Sequence, residues 1–140
     1  MKSSRSIAID FGNTRTKVAY FDEGRERAHL IEGLGKQVRA ILPTLFYVEE
    51  ADPHEQCPKE QLVSVSAGEE NFERRVFIGD QAQDKGQKNP RGFIHRVKND
   101  IHKPGPVRIR GRQKVDRVGL AACLFAHIKE FCEKKKFHGE

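Results

Sequence analysis

Apolar and polar positions alternate in short blocks at the start of the chain. IAID over Ile7–Asp10 is a brief run rich in β-branched residues, GNT at 12–14 is turn chemistry, and KVAYF over Lys17–Phe21 is a second apolar run. The pattern predicts a strand, a tight loop and a strand. Another strand is predicted within Gln37–Val48, where LPTLFYV is apolar. Pro43 has no N–H to give a central ladder, so it marks a strand edge or boundary. From 49 to 75 the pattern weakens: eight acids and two prolines surround a faint run at Leu62–Val65, which predicts a solvated surface excursion. VFIG at 76–79 reads as a strand, and Asp80 is placed to cap a short helix through Lys85. An Asn89-Pro90 turn then leads into FIHRVKNDI, which reads as helical. VRIRGRQKV at 107–115 reads as a hairpin, with Arg108, Arg110, Arg112 and Lys114 at period two on its solvated side. From Asp116 on, Val118, Ala121, Ala122, Phe125, Ile128 and Cys132 keep helical spacing. Leu120, Leu124 and Phe131 widen that stripe, so the helix is expected to be buried on much of its circumference.

A chain of 140 residues makes one domain or part of one. With 36% hydrophobic and 33% charged residues and a mean hydropathy of −0.70, it can build only a modest core. No run approaches the roughly 18 apolar residues of a membrane span. In MKSSRSIAIDFG an acid arrives before any signal-peptide hydrophobic region forms, so a cytoplasmic location and no membrane partner are expected. Cys57, Cys123 and Cys132 form no C-x-x-C pair and read as reduced thiols, the last two as small apolar filler in a helix. Residues 1–83 carry 11 Lys/Arg against 14 Asp/Glu, whereas residues 84–140 carry 15 against 6, a balance of +9. Such a basic half suits nucleic acid or the phosphates of a nucleotide. It lacks the interleaved aromatics of a single-strand binder: there is no Trp, and Tyr20 and Tyr47 lie in the acidic half. A nucleic-acid partner is therefore not the first expectation.

The stretch with most chemistry is IAIDFGNTRTKVAYF. Gly12 allows close backbone approach, and Asn13, Thr14 and Thr16 bring short polar side chains to a turn whose successive amides can cradle an anion. Asp10 at the strand end suits a hydrated Mg²⁺ beside phosphates, since Mg²⁺ keeps its waters and takes few carboxylates. These are parts for nucleoside triphosphate binding and phosphoryl transfer. The same residues also suit an ordinary hairpin with Gly-Asn at its turn. The D-F-G tripeptide does not make a protein kinase, because only nine residues precede Asp10 and no glycine-rich or catalytic loop fits there.

IAIDFGNTRTKVAYF resembles the first phosphate loop of the actin, sugar-kinase and heat-shock chaperone ATPase superfamily. Further segments narrow the resemblance to the seventy-kilodalton heat-shock (DnaK-like) chaperones. LPTLFYV resembles their proline-containing third strand, and FIGDQAQDKGQKNP their Gly-Asp/Glu-x-Ala segment leading to Asn-Pro. Lys98 follows Pro90 at the spacing of their catalytic lysine, and VGLAACLFAHIKEF is similar to their crossing helix. Departures are Asn13 in place of a common Thr, the added cation of Arg15, the His95-Arg96-Val97 preceding Lys98, and a longer acidic excursion. GNTRTK is also similar to the loop of type III pantothenate kinases of the same superfamily, which are not expected to carry the later segments.

The resemblance implies an α/β (α+β) fold: part of an actin-like, ribonuclease H-like ATPase lobe, a mixed sheet with flanking helices and a small inserted subdomain. Residues 1–48 would form the first strands and phosphate loop, 49–75 the acidic excursion, 76–115 the small subdomain with the lysine segment, and 116–140 the crossing helix. It implies ATP/ADP and Mg²⁺ as ligands, with Asp10 reaching Mg²⁺ through water. Gly12, Asn13, Thr14 and Arg15 would hold the phosphates, and Lys98 would face the γ-phosphate and the attacking water. The activity implied is ATP hydrolysis, a hydrolase function driving a chaperone's conformational cycle on client polypeptides, with co-chaperones, in a stress response. The likeness covers only the opening part of the first of two lobes. It therefore implies an N-terminal piece of a longer protein, inactive alone, with an uncovered apolar face and an open strand edge that favour self-association. The alternatives from other classes are a non-catalytic actin-like interaction domain and a basic nucleic-acid-binding module.

Overall fold

In the computed structural model, residues 6–22, 24, 26–33, 41–95 and 106–134 are described. The opening alternation folds as expected. β1 (Ser6–Phe11) and β2 (Arg15–Asp22) form an antiparallel hairpin. β3 (Arg27–Leu30) returns against the outer part of β2, and β4 (Ile41–Pro43) pairs with its inner part. β3 has no counterpart among the expected elements; RAHL is too short and too polar to stand out in the sequence.

Pro43 closes β4 at its pairing with Arg15, as a residue without a ladder donor should. One residue later the chain leaves this four-stranded sheet and enters a second one as β5 (Leu45–Val48). The second sheet has six strands in the order β8 (Phe93–His95), β5, β7 (Glu70–Ile78), β6 (Leu62–Ala67), β10 (Gln113–Val115) and β9 (Val107–Ile109). Every pairing among the described strands of both sheets is antiparallel. The α+β class therefore holds, and the parallel neighbours of a mixed sheet do not occur among these strands.

The excursion expected over 49–75 is corrected most. Its second half is the principal hairpin of the larger sheet, β6 (Leu62–Ala67) and β7 (Glu70–Ile78). Val63 and Val65 are buried, while Ser64, Glu70 and Glu73 are exposed. Strict period two hides in a window whose average is acidic. Val76–Ile78 of VFIG is the end of β7, and this end pairs with β5. α1 (Asp80–Lys88) follows at once; its N-cap is Gly79 at φ +68°, and Asp80 is the first helical residue rather than the cap.

The expected helix over FIHRVKNDI is replaced, within the described residues, by a 3₁₀ turn at Pro90–Gly92 and strand β8 (Phe93–His95). Asn89 Oδ1 accepts the Arg91 N–H and fixes the turn. β8 pairs with β5, so tertiary pairing overrides a helical-looking spacing. The basic hairpin forms as expected from β9 (Val107–Ile109) and β10 (Gln113–Val115).

α2 (Arg117–Lys134) begins at Asp116, whose Oδ1 accepts the Val118 N–H at 3.1 Å. It buries Leu120, Leu124 and Ile128, with Ala121, Cys123 and Cys132 beside them. Val118, Ala122 and Phe125, expected on the apolar stripe, are exposed instead. The buried face joins Val63, Val65, Val76 and Val115 of the large sheet to Val18 and Leu42 of the small one, and to Ile31 just past β3, in a single hydrophobic cluster. Complete burial of side chains such as Phe46 and Leu120 contributes about 1.5–3 kcal/mol each. The cysteines are free; Cys123 gives its thiol to the Leu62 carbonyl oxygen at 3.4 Å, and burial pushes its pKa up to about 11. No helix among the described residues is long and apolar enough to cross a membrane.

Candidate functional site

The turn between β1 and β2 is Gly12-Asn13-Thr14. Gly12 N–H donates to the Arg15 carbonyl oxygen at 2.9 Å. A Cβ on Gly12 would stand 2.6 Å from that same oxygen, so the turn closes only around glycine. Thr14 and Arg15 are exposed, and Asn13 is half-buried. Asp10 is exposed near the end of β1, directly opposite Lys17, and directly opposed residues share a face. Asp10, Gly12, Asn13, Thr14 and Arg15 thus lie in and beside this turn. One part of the expectation changes: the Gly12 amide already serves the turn and is not a spare donor for an anion.

What anchors this turn lies far along the chain. Thr14 accepts the Thr44 N–H at 3.0 Å through its carbonyl oxygen. Thr16 and Thr44, both fully buried, share a hydrogen bond between their hydroxyls at 2.7 Å. Thr44 is the residue at which the chain changes sheets. Beside it, the Leu45 carbonyl oxygen accepts the Gly79 N–H at 3.0 Å, just ahead of α1. β8 ends with His95 opposite Leu45. Three segments distant in sequence therefore meet at one sheet junction: the turn, the start of α1 and the end of β8. Sequence reasoning singled out the turn and missed Thr44, which carries no local signal of its role. Lys98 lies outside the described residues.

No group of three or more His, Cys, Asp or Glu among the described residues forms a metal-holding cluster. Asp10 alone suits a Mg²⁺ ion held mainly by phosphate oxygens and water, and it does not suit a metal retained by protein ligands.

Apart from the turn, a cleft of about 290 Å³ opens between α2 and β7 with Arg75, Phe77, His127, Glu130 and Lys134 on its walls. Lys134 pairs with Glu130 at 2.8 Å and holds that carboxyl below its usual range through the hydrogen bond and the charge. Partial burial pushes the His127 pKa down, with Glu130 opposing. The i, i+3 and i+7 spacing of these three on one helix was the available signal.

A second cleft, of about 440 Å³, is apolar and lies between β1 and α2, with Ile7, Ile9, Phe125, Ile128 and Cys132 on its walls. β1 is hydrogen-bonded to β2 alone among the described strands. Ile7 and Ile9 are 45% and 40% exposed, so the open edge borders an uncovered apolar surface.

Arg110, expected in a solvated row, behaves otherwise. At φ +41° it turns away from that row, and its guanidinium donates to the Val48 carbonyl oxygen beside Tyr47. Gly92 lies against this contact, and a side chain there would collide with both partners.

No protein-family model matches the chain, and no curated protein matches it.

Proposed function

We propose that this chain supplies the first phosphate-binding turn of an actin-like ATP site, in a chaperone-like protein that hydrolyses ATP to drive a conformational cycle on client polypeptides. The observation that carries the reading is the Thr14–Thr44–Thr16 anchor. It fixes a short polar turn, preceded by a carboxylate, at the junction of two sheets. Preorganised turns of this kind are what phosphoryl transfer uses to hold charge without moving during the reaction. The open β1 edge and the apolar cleft beside it support a lobe that more polypeptide completes.

In this reading Thr14 and Arg15 give a hydroxyl and a guanidinium to the phosphates, and Asn13 gives its amide group. Asp10 would accept hydrogen bonds from the waters of a bound Mg²⁺. Bound Mg²⁺ would neutralise phosphate charge there. Lys98 enters on the sequence resemblance, three residues beyond His95, as the cation for the γ-phosphate.

Amide NMR shifts of the chain titrated with ATP and Mg²⁺ test the turn. Perturbation centred on residues 10–17, lost in Arg15→Ala and Thr14→Ala, is expected; perturbation elsewhere with residues 10–17 silent overturns the reading. This chain alone is expected to show no Mg²⁺-dependent hydrolysis above background. In a longer product that turns ATP over, Lys98→Ala is expected to lower turnover about 10²-fold or more while binding persists.

A further inference from the structure

The exposed face of the large sheet carries a row of directly opposed residues. Arg108 on β9 faces Lys114 on β10, Lys114 faces Ser66 on β6, and Ser66 faces Asn71 on β7. Arg108 and Lys114 are both exposed, and like charges placed directly across a ladder destabilise it. Arg112, also exposed, extends the cluster at the hairpin tip. Together Ser66, Gly68, Arg108, Gly111, Arg112 and Lys114 line a shallow cleft of about 340 Å³ between the tips of the two hairpins.

Among the described residues no carboxylate lines that cleft; Glu73, the acid on this face of β7, sits one row further on, opposite Ser64. Elsewhere Arg74 pairs with Asp52 and Lys134 with Glu130, each at 2.8 Å. Of the eight acids between 49 and 75 none lines this cleft; Glu69 and Glu70 follow Gly68 at the β6–β7 tip. The cleft lining is thus basic, and Arg108 opposite Lys114 is costly to the isolated ladder.

We infer that the paired hairpin tips bind the phosphodiester backbone of nucleic acid through Arg108, Arg112 and Lys114. Separate, solvated cations on an open face hold a lone monoanion weakly, but a ligand with linked charges gains from releasing its counterions. The missing aromatics bear on base stacking, which a backbone contact does not need. Binding is therefore independent of base sequence. This inference does not rest on the ATP-site reading, and either can fail alone.

The test is fluorescence anisotropy of the chain with labelled single-stranded RNA of about 20 nucleotides, and a matching duplex, over a salt series. Three phosphate contacts predict a log–log salt slope of about −2 on the single strand. Arg108→Gln/Arg112→Gln/Lys114→Gln is expected to weaken binding about tenfold or more and to flatten the slope towards zero. The charge-matched variant Lys59→Gln/Lys88→Gln/Lys129→Gln, all at exposed positions away from the tips, is expected to bind nearly as the parent chain does. Equal losses in the two variants would show diffuse charge and overturn the site. Displacement of RNA by poly-glutamate as effective as by unlabelled RNA would overturn the choice of ligand. So would displacement by inorganic phosphate at equal phosphate concentration.

Discussion

The two sheets share one buried core but finish their edges differently. The six-stranded sheet ends on three-residue strands, β8 and β9, and β9 carries the exposed Arg108. Short, charged edges discourage pairing with a stranger. The four-stranded sheet ends on the six-residue β1, SIAIDF, with half-exposed isoleucines beside an apolar cleft. One sheet is protected and the other invites a neighbour. The contrast teaches where polypeptide outside this fold would add: at the β1 edge of the first hairpin, not at the basic hairpin.

If the sheets differ as described, substitutions should separate them. The largest effect is expected from Phe46→Ala, at a fully buried position of β5. It should cost about 3–5 kcal/mol in urea unfolding, against less than about 0.5 kcal/mol for Ile7→Ala on the exposed edge. Similar costs at both sites would erase the distinction. Thr44→Val probes the junction: it strands the Thr16 hydroxyl in the core and should cost about 1–3 kcal/mol. Thr16→Val/Thr44→Val together should recover much of that loss, because no orphaned polar group remains. A double variant as damaged as the two losses added would remove the hydroxyl pair from the account.

The next effect is on association. The chain is expected to self-associate through β1, and Ile9→Lys should weaken that by about tenfold, or about 1.4 kcal/mol, in sedimentation equilibrium. A chain monomeric at all concentrations would sink the open-edge argument. The smallest effect concerns His127. Its folded-state pKa lies below the unfolded value near 6.5, so the unfolded chain binds the extra proton. Stability should therefore be fully present above that value and decline as pH falls through 6.5 towards the folded pKa. His127→Gln should flatten this part of the profile, and an unchanged profile would assign the decline to other groups.

Much of the candidate site was legible because it is local. Gly12-Asn13-Thr14 between two apolar runs announces a turn, and Asp10 and Arg15 belong to it by adjacency alone. Thr44 was not legible, since its importance comes from hydroxyl contact with a residue 28 positions away. The β6–β7 hairpin was misread because its solvent side carries acids, and a one-sided strand averages to polar. FIH looked helical by spacing and became a strand because β5 offered it unpaired backbone groups.

By itself the sequence determined the β1–β2 hairpin, the basic hairpin, the existence of α2 and the charge imbalance between the two halves. All of these follow from neighbouring residues or from composition. Only the tertiary structure decided which face of α2 is buried, that Arg110 leaves its row for Val48, and that the chain changes sheets at Thr44. Each of those depends on which distant groups satisfy a buried hydrogen bond or fill a core position. A linear pattern of hydrophobic and polar residues carries no record of that pairing.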